Sequence, residues 1–166
     1  FKMRTPDDAI RIRDYVEAER IKKAVVIGGG FIGLEVAENL LAQGVDVTVM
    51  DFASQIMPNV LDPEMADYAQ RHLRKQGVRV LTGTKAEKLV GDARVTAVKT
   101  ASATLPAELV VLSAGIRPNT AFLASSGIEM DKGAIVVDSQ LKTNLPGVYA
   151  AGDCALVRSE EYTSEL

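Results

Sequence analysis

Three consecutive glycines end an apolar, β-branched run and open a stretch of helical periodicity, and no other feature narrows the possible folds as much. Residues 23–27, Lys-Ala-Val-Val-Ile, read as a strand buried on both faces of a parallel sheet, because the apolar residues are consecutive rather than alternating. Gly28, Gly29 and Gly30 then turn the chain. From 31 to 43 the apolar residues Phe31, Leu34, Ala37, Leu40 and Leu41 recur at helical spacing, and Gly44 supplies a left-handed stop. A second strand over 45–50 completes a β-α-β unit that ends on Asp51.

This arrangement suits a dinucleotide. A pyrophosphate at a strand-to-helix turn needs backbone amides aimed at it and no Cβ in its way, and the helix dipole adds favourable potential. In Gly28-Gly29-Gly30-Phe31-Ile32-Gly33, Gly28 is expected to make the tight turn, Gly30 to let the pyrophosphate approach, and Gly33 to let the helix pack close to the strand. Gly29, Phe31 and Ile32 complete the candidate loop. A glycine-rich run of this kind is weak by itself, since methyltransferases use related turns for another adenosine cofactor. Its context is stronger: a strand before, a helix after, and Asp51 at the end of the next strand, about 20 residues on. A carboxylate there accepts from both ribose hydroxyls of NAD, whereas a 2′-phosphate needs a cation, and no basic residue occurs between Asp51 and Arg71. The expected preference is NADH over NADPH. The plainer alternatives are a solvated turn residue at Asp51 and a purely structural glycine turn.

Elsewhere the periodicity predicts a helix from Pro6 to about Glu19, opened by Thr5 as N-cap, and another from Pro63 to about Gln76, closed by Gly77. Residues 78–81 return as a strand. Residues 86–90 and 94–100, split by Gly91-Asp92, predict an antiparallel hairpin, and 109–112 one more buried strand. The expectation is an α/β fold: a doubly wound, Rossmann-like parallel sheet with an appended antiparallel β-hairpin. Beyond Pro118 the pattern changes to short strands over 135–137 and 148–150, separated by the turn Asn144-Leu145-Pro146-Gly147, so a second domain is expected there. Residues 158–166 carry no apolar periodicity, resemble translated adaptor sequence, and are set aside as a non-native tail.

Composition excludes several classes. The 166 residues are 47% hydrophobic and 25% charged, as in ordinary globular domains. Net charge is -3 with no basic run, so nucleic acid is not an expected partner. No apolar run approaches the ~20 residues that span a bilayer, and no secretory pattern opens the chain, so no membrane association and a cytoplasmic location are expected. Cys154 is the single cysteine, which leaves no internal disulfide, thiolate metal site or two-cysteine redox centre. It reads as a small packing residue, and His72, mid-helix beside Arg71 and Arg74, receives no catalytic role. No residue is assigned as catalytic and none as a metal ligand.

Read together, GGGFIGLEVAENL, the stretch from VDVTVMD to KQGVRV, VVLSAGIRPNT and TNLPGVYAAGDCA resemble the pyridine nucleotide-disulfide oxidoreductases, and within them the coenzyme A-disulfide reductases and NADH oxidases. The resemblance implies that residues 1–21 are a crossover from an FAD domain, 22–118 the NAD(P)H domain, and 119–157 part of a discontinuous FAD-binding domain. It implies that Gly115 lies where backbone passes close to the cofactor and that Glu35 faces the nicotinamide side, unless Glu35 is simply a solvated helix residue. Gly152-Asp153 matches the family's second flavin motif, in which the aspartate accepts from the ribityl chain of FAD, although Gly-Asp after a strand is also a plain turn. Asp51 is one methylene shorter than the glutamate usual there.

No N-terminal FAD phosphate loop, redox cysteine of the family's active site or C-terminal dimerisation domain is recognisable, so the chain is expected to be a fragment, inactive alone, of a homodimeric parent. That parent is expected to pass hydride from NAD(P)H to FAD and on to a small-molecule disulfide or dioxygen. The alternatives are a ferredoxin- or nitrite-reductase-type flavoprotein component, and a non-catalytic NADH-sensing module, against which Gly152-Asp153 stands. The segment after Pro118 is expected to expose strand edges and to associate non-natively.

Overall fold

The computed structural model describes residues 1–158, arranged as two compact units, Phe1–Gly115 and the residues from Ile116 onward. The expected non-native tail, apart from Arg158, lies outside the described residues.

The first unit is built on a four-stranded parallel sheet. Its strands are β1 (Lys23–Ile27), β2 (Asp46–Met50), β3 (Arg79–Leu81) and β7 (Leu109–Leu112), in spatial order β3-β2-β1-β7. Successive side chains point to opposite faces, and the two faces have different covers. Ala24 and Val26 of β1, Val47 and Val49 of β2, and Leu109 and Val111 of β7 pack with Ile12 and Val16 of helix α1 (Pro6–Glu19) and with Val36, Ala37 and Leu40 of α2 (Phe31–Ala42). Ala69 and Leu73 of α3 (Pro63–Lys75) join that cluster. On the opposite face Val25, Met50 and Val110 meet Val98, Leu105 and Ala107. Val25, Val26, Val47, Val49 and Val111 have no exposed surface at all, which explains the consecutive apolar runs. Burying each contributes about 1.5–3 kcal/mol.

The doubly wound arrangement is corrected. The sheet is not wound with helices on both faces, because the chain crosses from β3 to β7 through an antiparallel sheet rather than a helix. That sheet contains the expected hairpin, β4 (Lys88–Gly91) and β5 (Val95–Lys99), extended by a third strand, β6 (Thr104–Pro106), in order β4-β5-β6. Thr100 turns the chain back, its Oγ1 accepting from the amides of Ser102 and Ala103 at 3.3 and 3.0 Å. β6 has one buried apolar residue and a proline, a combination tolerated at a sheet edge and silent in a periodicity reading.

The second unit contains a short 3-10 turn (Ala121–Leu123) and a three-stranded sheet of β8 (Met130–Asp131), β9 (Ala134–Val137) and β10 (Ala155–Val157). Lys132 and Gly133, both at positive φ, make the β8–β9 turn. The strand expected over 148–150 does not form. Among the described residues 148–150 meet the chain before the turn 144–147 through one isolated bridge, Lys142 with Tyr149, and β10 pairs with β9. No helix among the described residues is long and apolar enough to cross a membrane.

Candidate functional site

Strand register sets the site. Ile27 pairs with Met50 on one side and with Leu112 on the other, so the next residues, Gly28, Asp51 and Ser113, leave the sheet side by side at its C-terminal edge. The ladders continue one step further, Gly28 N donating to Met50 O at 2.8 Å and Ser113 N to Ile27 O at 2.7 Å. Strands β2 and β3 extend the sheet from one side of β1 while β7 lies on the other. β1 is therefore the switch point outside which open α/β sheets form their ligand crevice.

The glycines of the loop meet different demands. Gly28 has φ +115°, and a Cβ there would lie 2.3 Å from the Ser113 carbonyl oxygen. A Cβ on Gly33 would lie 1.9 Å from Gly28 O, so α2 approaches the loop only because Gly33 has no side chain. Gly30, the N-cap of α2, differs: a Cβ there meets nothing within 4 Å, and no side chain caps the helix. The space above Gly30 is open, and among the described residues the amides of Phe31, Ile32 and Gly33 have no acceptor. An open approach with unpaired amides at a helix N-terminus suits an anion such as a pyrophosphate.

Asp51 joins the loop to the end of β2. Its Oδ2 accepts from Gly29 N at 2.6 Å and its Oδ1 from Ala53 N at 2.8 Å. Its backbone is held by Leu81 O and Thr84 N. Each carboxylate oxygen has a second lone pair, so the residue retains capacity for hydroxyl donors while organising the loop.

Gly29 has a task that no local sequence pattern marks. Its amide is held by Asp51, its carbonyl accepts from Met57 N at 3.0 Å, and a Cβ would meet Ile56 Cγ2 at 3.0 Å. Ile56 is fully buried although it lies in a turn-rich stretch. No local pattern marks it, since Met57, Val60 and Leu61 are also apolar in the same stretch.

The remaining candidates are less tightly placed. Phe31 and Ile32 are 62% and 42% exposed at the start of α2. Glu35 is exposed on α2 and borders two grooves, one of about 560 Å³ against α1 and one of about 640 Å³ against α3. His72 lies on the α3 side of the second. Gly115, φ +89°, ends the first unit. In the second unit Gly152 has φ +82° and accepts from Ala155 N, and the exposed Asp153 has no hydrogen-bond partner among the described residues. Cys154 is half-buried, with Sγ 3.4 Å from Ala151 O. Among the described residues no three His, Cys, Asp or Glu side chains gather into a metal site.

Comparison with known proteins agrees with this geometry. The pattern of the family described as "Pyridine nucleotide-disulphide oxidoreductase" matches residues 1–164. An NADH oxidase from Methanocaldococcus jannaschii is 39% identical over 157 residues, covering 95% of this chain and 35% of its own length. A ferredoxin reductase from Rhodopseudomonas palustris superposes with a TM-score of 0.88 at 36% identity, over 98% of this chain and 40% of that one. A water-forming NADH oxidase from Lactobacillus brevis, solved bound to NADH, superposes with a TM-score of 0.81 at 31% identity, over 93% of this chain and 34% of that one. The chain thus spans about a third of the NADH oxidases it matches. It belongs to the pyridine nucleotide-disulphide oxidoreductase family.

Proposed function

We propose that this chain is the NADH-binding portion of an FAD-dependent oxidoreductase, with residues 22–118 carrying the nicotinamide nucleotide, 1–21 the crossover from the flavin domain, and 119–157 a part of that domain. The observation that carries the reading is the combination at one sheet edge of an open Gly30, amides at Phe31 to Gly33 with no acceptor among the described residues, and the Asp51 carboxylate.

Each residue has a separate task in this reading. Gly30 and the first turn of α2 receive the pyrophosphate, and Gly28 and Gly33 keep the loop close enough for the amides to converge. Asp51 accepts from the adenosine ribose hydroxyls. Its charge opposes a 2′-phosphate, and the absence of any basic residue from 52 to 70 supports NADH over NADPH. Gly115 leaves room for backbone to pass the cofactor, and Glu35 lies toward the nicotinamide end. Gly152 turns the chain so that the Asp153 carboxylate, without a hydrogen-bond partner among the described residues, is available to accept from a ribityl hydroxyl of FAD. The flavin, when bound, accepts hydride from the nicotinamide and passes electrons onward.

The acceptor is assigned to parts of the parent beyond this segment. Relatives named for oxidation of NADH and for reduction of ferredoxin share this segment at 39% and 36% identity, so its fold does not select between them. A small-molecule disulfide or dioxygen as acceptor, a homodimeric parent and a cytoplasmic location complete the proposal.

Isothermal titration of the full chain with NADH, NADPH and FAD in parallel tests it. The expected result is NADH binding that exceeds NADPH binding, with no NADH turnover. Equal affinity for the two nucleotides would remove the assigned role of Asp51, and no nucleotide binding would remove the proposal.

A further inference from the structure

We infer that Phe52 is an adenine platform, an aromatic face mounted beside the ribose ligand on which the adenine of the bound nucleotide stacks. The inference rests on the nucleotide-binding reading and adds the residue that recognises the base.

Phe52 is 76% exposed and belongs to neither apolar cluster of the first unit, so packing gives no reason for its size. The residues on either side of it are nonetheless tied down by hydrogen bonds. Asp51 Oδ1 accepts from Ala53 N, closing an Asx turn with Phe52 at its tip. On the two sides, Asp51 N donates to Leu81 O at 2.9 Å and Gly83 N donates to Ala53 O at 2.6 Å. An aromatic residue on a fixed turn, open to solvent, is preorganised to receive a flat partner at little conformational cost.

The neighbouring residue identifies that partner. The ribose read by an acid at the end of β2 is the one whose 2′ position separates NAD from NADP, and its base is adenine. With that ribose on Asp51, the adjacent position is within reach of the base. Every nucleobase presents a π-face, so stacking on an aromatic ring adds affinity without further polar groups. The same carboxylate would then serve ribose, phosphate loop and base together: it binds the hydroxyls, fixes Gly29 and shapes the turn that carries Phe52.

The test uses the full chain as wild type, Phe52→Ala and Phe52→Trp, titrated with ADP-ribose and with nicotinamide mononucleotide, which lacks adenine. The chain contains no tryptophan, so Phe52→Trp introduces a single emitter. ADP-ribose is expected to quench its emission while nicotinamide mononucleotide leaves it unchanged. Phe52→Ala should weaken ADP-ribose by about 5- to 100-fold. Phe52→Trp should keep wild-type affinity, and thermal stability should be unaltered in both variants. If wild type binds ADP-ribose and Phe52→Ala binds it equally well, or if the tryptophan emission ignores the ligand, the platform is excluded and the nucleotide site stands. If wild type binds neither ADP-ribose nor NADH, the nucleotide-binding reading fails and the platform with it.

Discussion

Each of the two units is stabilised internally in a different way. In Phe1–Gly115 a parallel sheet lies between helices and an antiparallel sheet, and valines at 0% exposure fill both faces. In the described part of the second unit only Thr120, Ile135, Val136 and Val137 are buried, and Phe122, Tyr149 and Val157 are half or more exposed. Side chains there do the work of a core by bonding to backbone. Asn144 Oδ1 accepts from Glu129 N while its Nδ2 donates to Gly127 O, both at 2.8 Å. Asp138 Oδ1 accepts from the amides of Gln140 and Lys142. The comparison teaches where a phosphate loop can be built. Amides must converge on one point, and close packing on both sides of a sheet fixes strand ends in a way that isolated turns do not.

Four experiments break or sharpen that contrast. Gly33→Ala is expected to have the largest effect, because its Cβ would collide with backbone rather than with a movable side chain. A loss of about 4 kcal/mol is expected, at the upper end for overpacking. Thermal denaturation with hydrogen exchange should place the loss in the first unit, and equal loss of protection in both units would end the view that they are separately stabilised. Leu40→Ala, at a site 2% exposed, should cost about 3 kcal/mol. Leu156→Ala, at a site 41% exposed, should cost under about 1 kcal/mol. Similar midpoint shifts in urea for the two leucines would contradict the burial contrast.

Asn144→Ala should cost about 1.5 kcal/mol through two lost backbone partners. Faster exchange confined to the amides near Glu129 is the expected signature. The smallest effect belongs to the start of α1. Asp8 accepts from the amides of Arg4 and Thr5, and the Arg4 bond above all holds its carboxyl below the usual carboxylate range, with Thr5 and the Arg11 charge assisting. A depressed folded-state pKa means that this cap stabilises above the ordinary value near 3.9 and is lost as pH falls through the folded value. Acid titration should fray α1 ahead of β1 and β2, and Asp8→Ala should abolish that pH dependence.

Much of the first unit was legible because its signals are local. Helix α1 announces itself by Thr5, Pro6 and Asp8, and the structure contains the full capping box. Gly44 and Gly77 both adopt the positive φ expected where α2 and α3 end. What was missed depended on partners distant in sequence. β6 is a strand because β5 offers it an edge, and β10 is one because β9 does. Residues 148–150 have strand-like side chains but meet residues 141–143 through one isolated bridge rather than a ladder. The task of Gly29 was hidden for the same reason, since Asp51, Ile56 and Met57 define it from across the loop.

The amino-acid sequence alone determined the β-α-β unit, the glycine positions and the acid at the end of β2, because periodicity, capping and left-handed turns act over a few residues. The tertiary structure alone decided that helices cover one sheet face and strands the other. It also decided that Gly28, Asp51 and Ser113 leave the sheet together and that Asp51 fastens the loop it serves. Those outcomes follow from strand register and from which surfaces are left to be covered, and both are settled only when segments far apart in the chain compete for the same edges and faces.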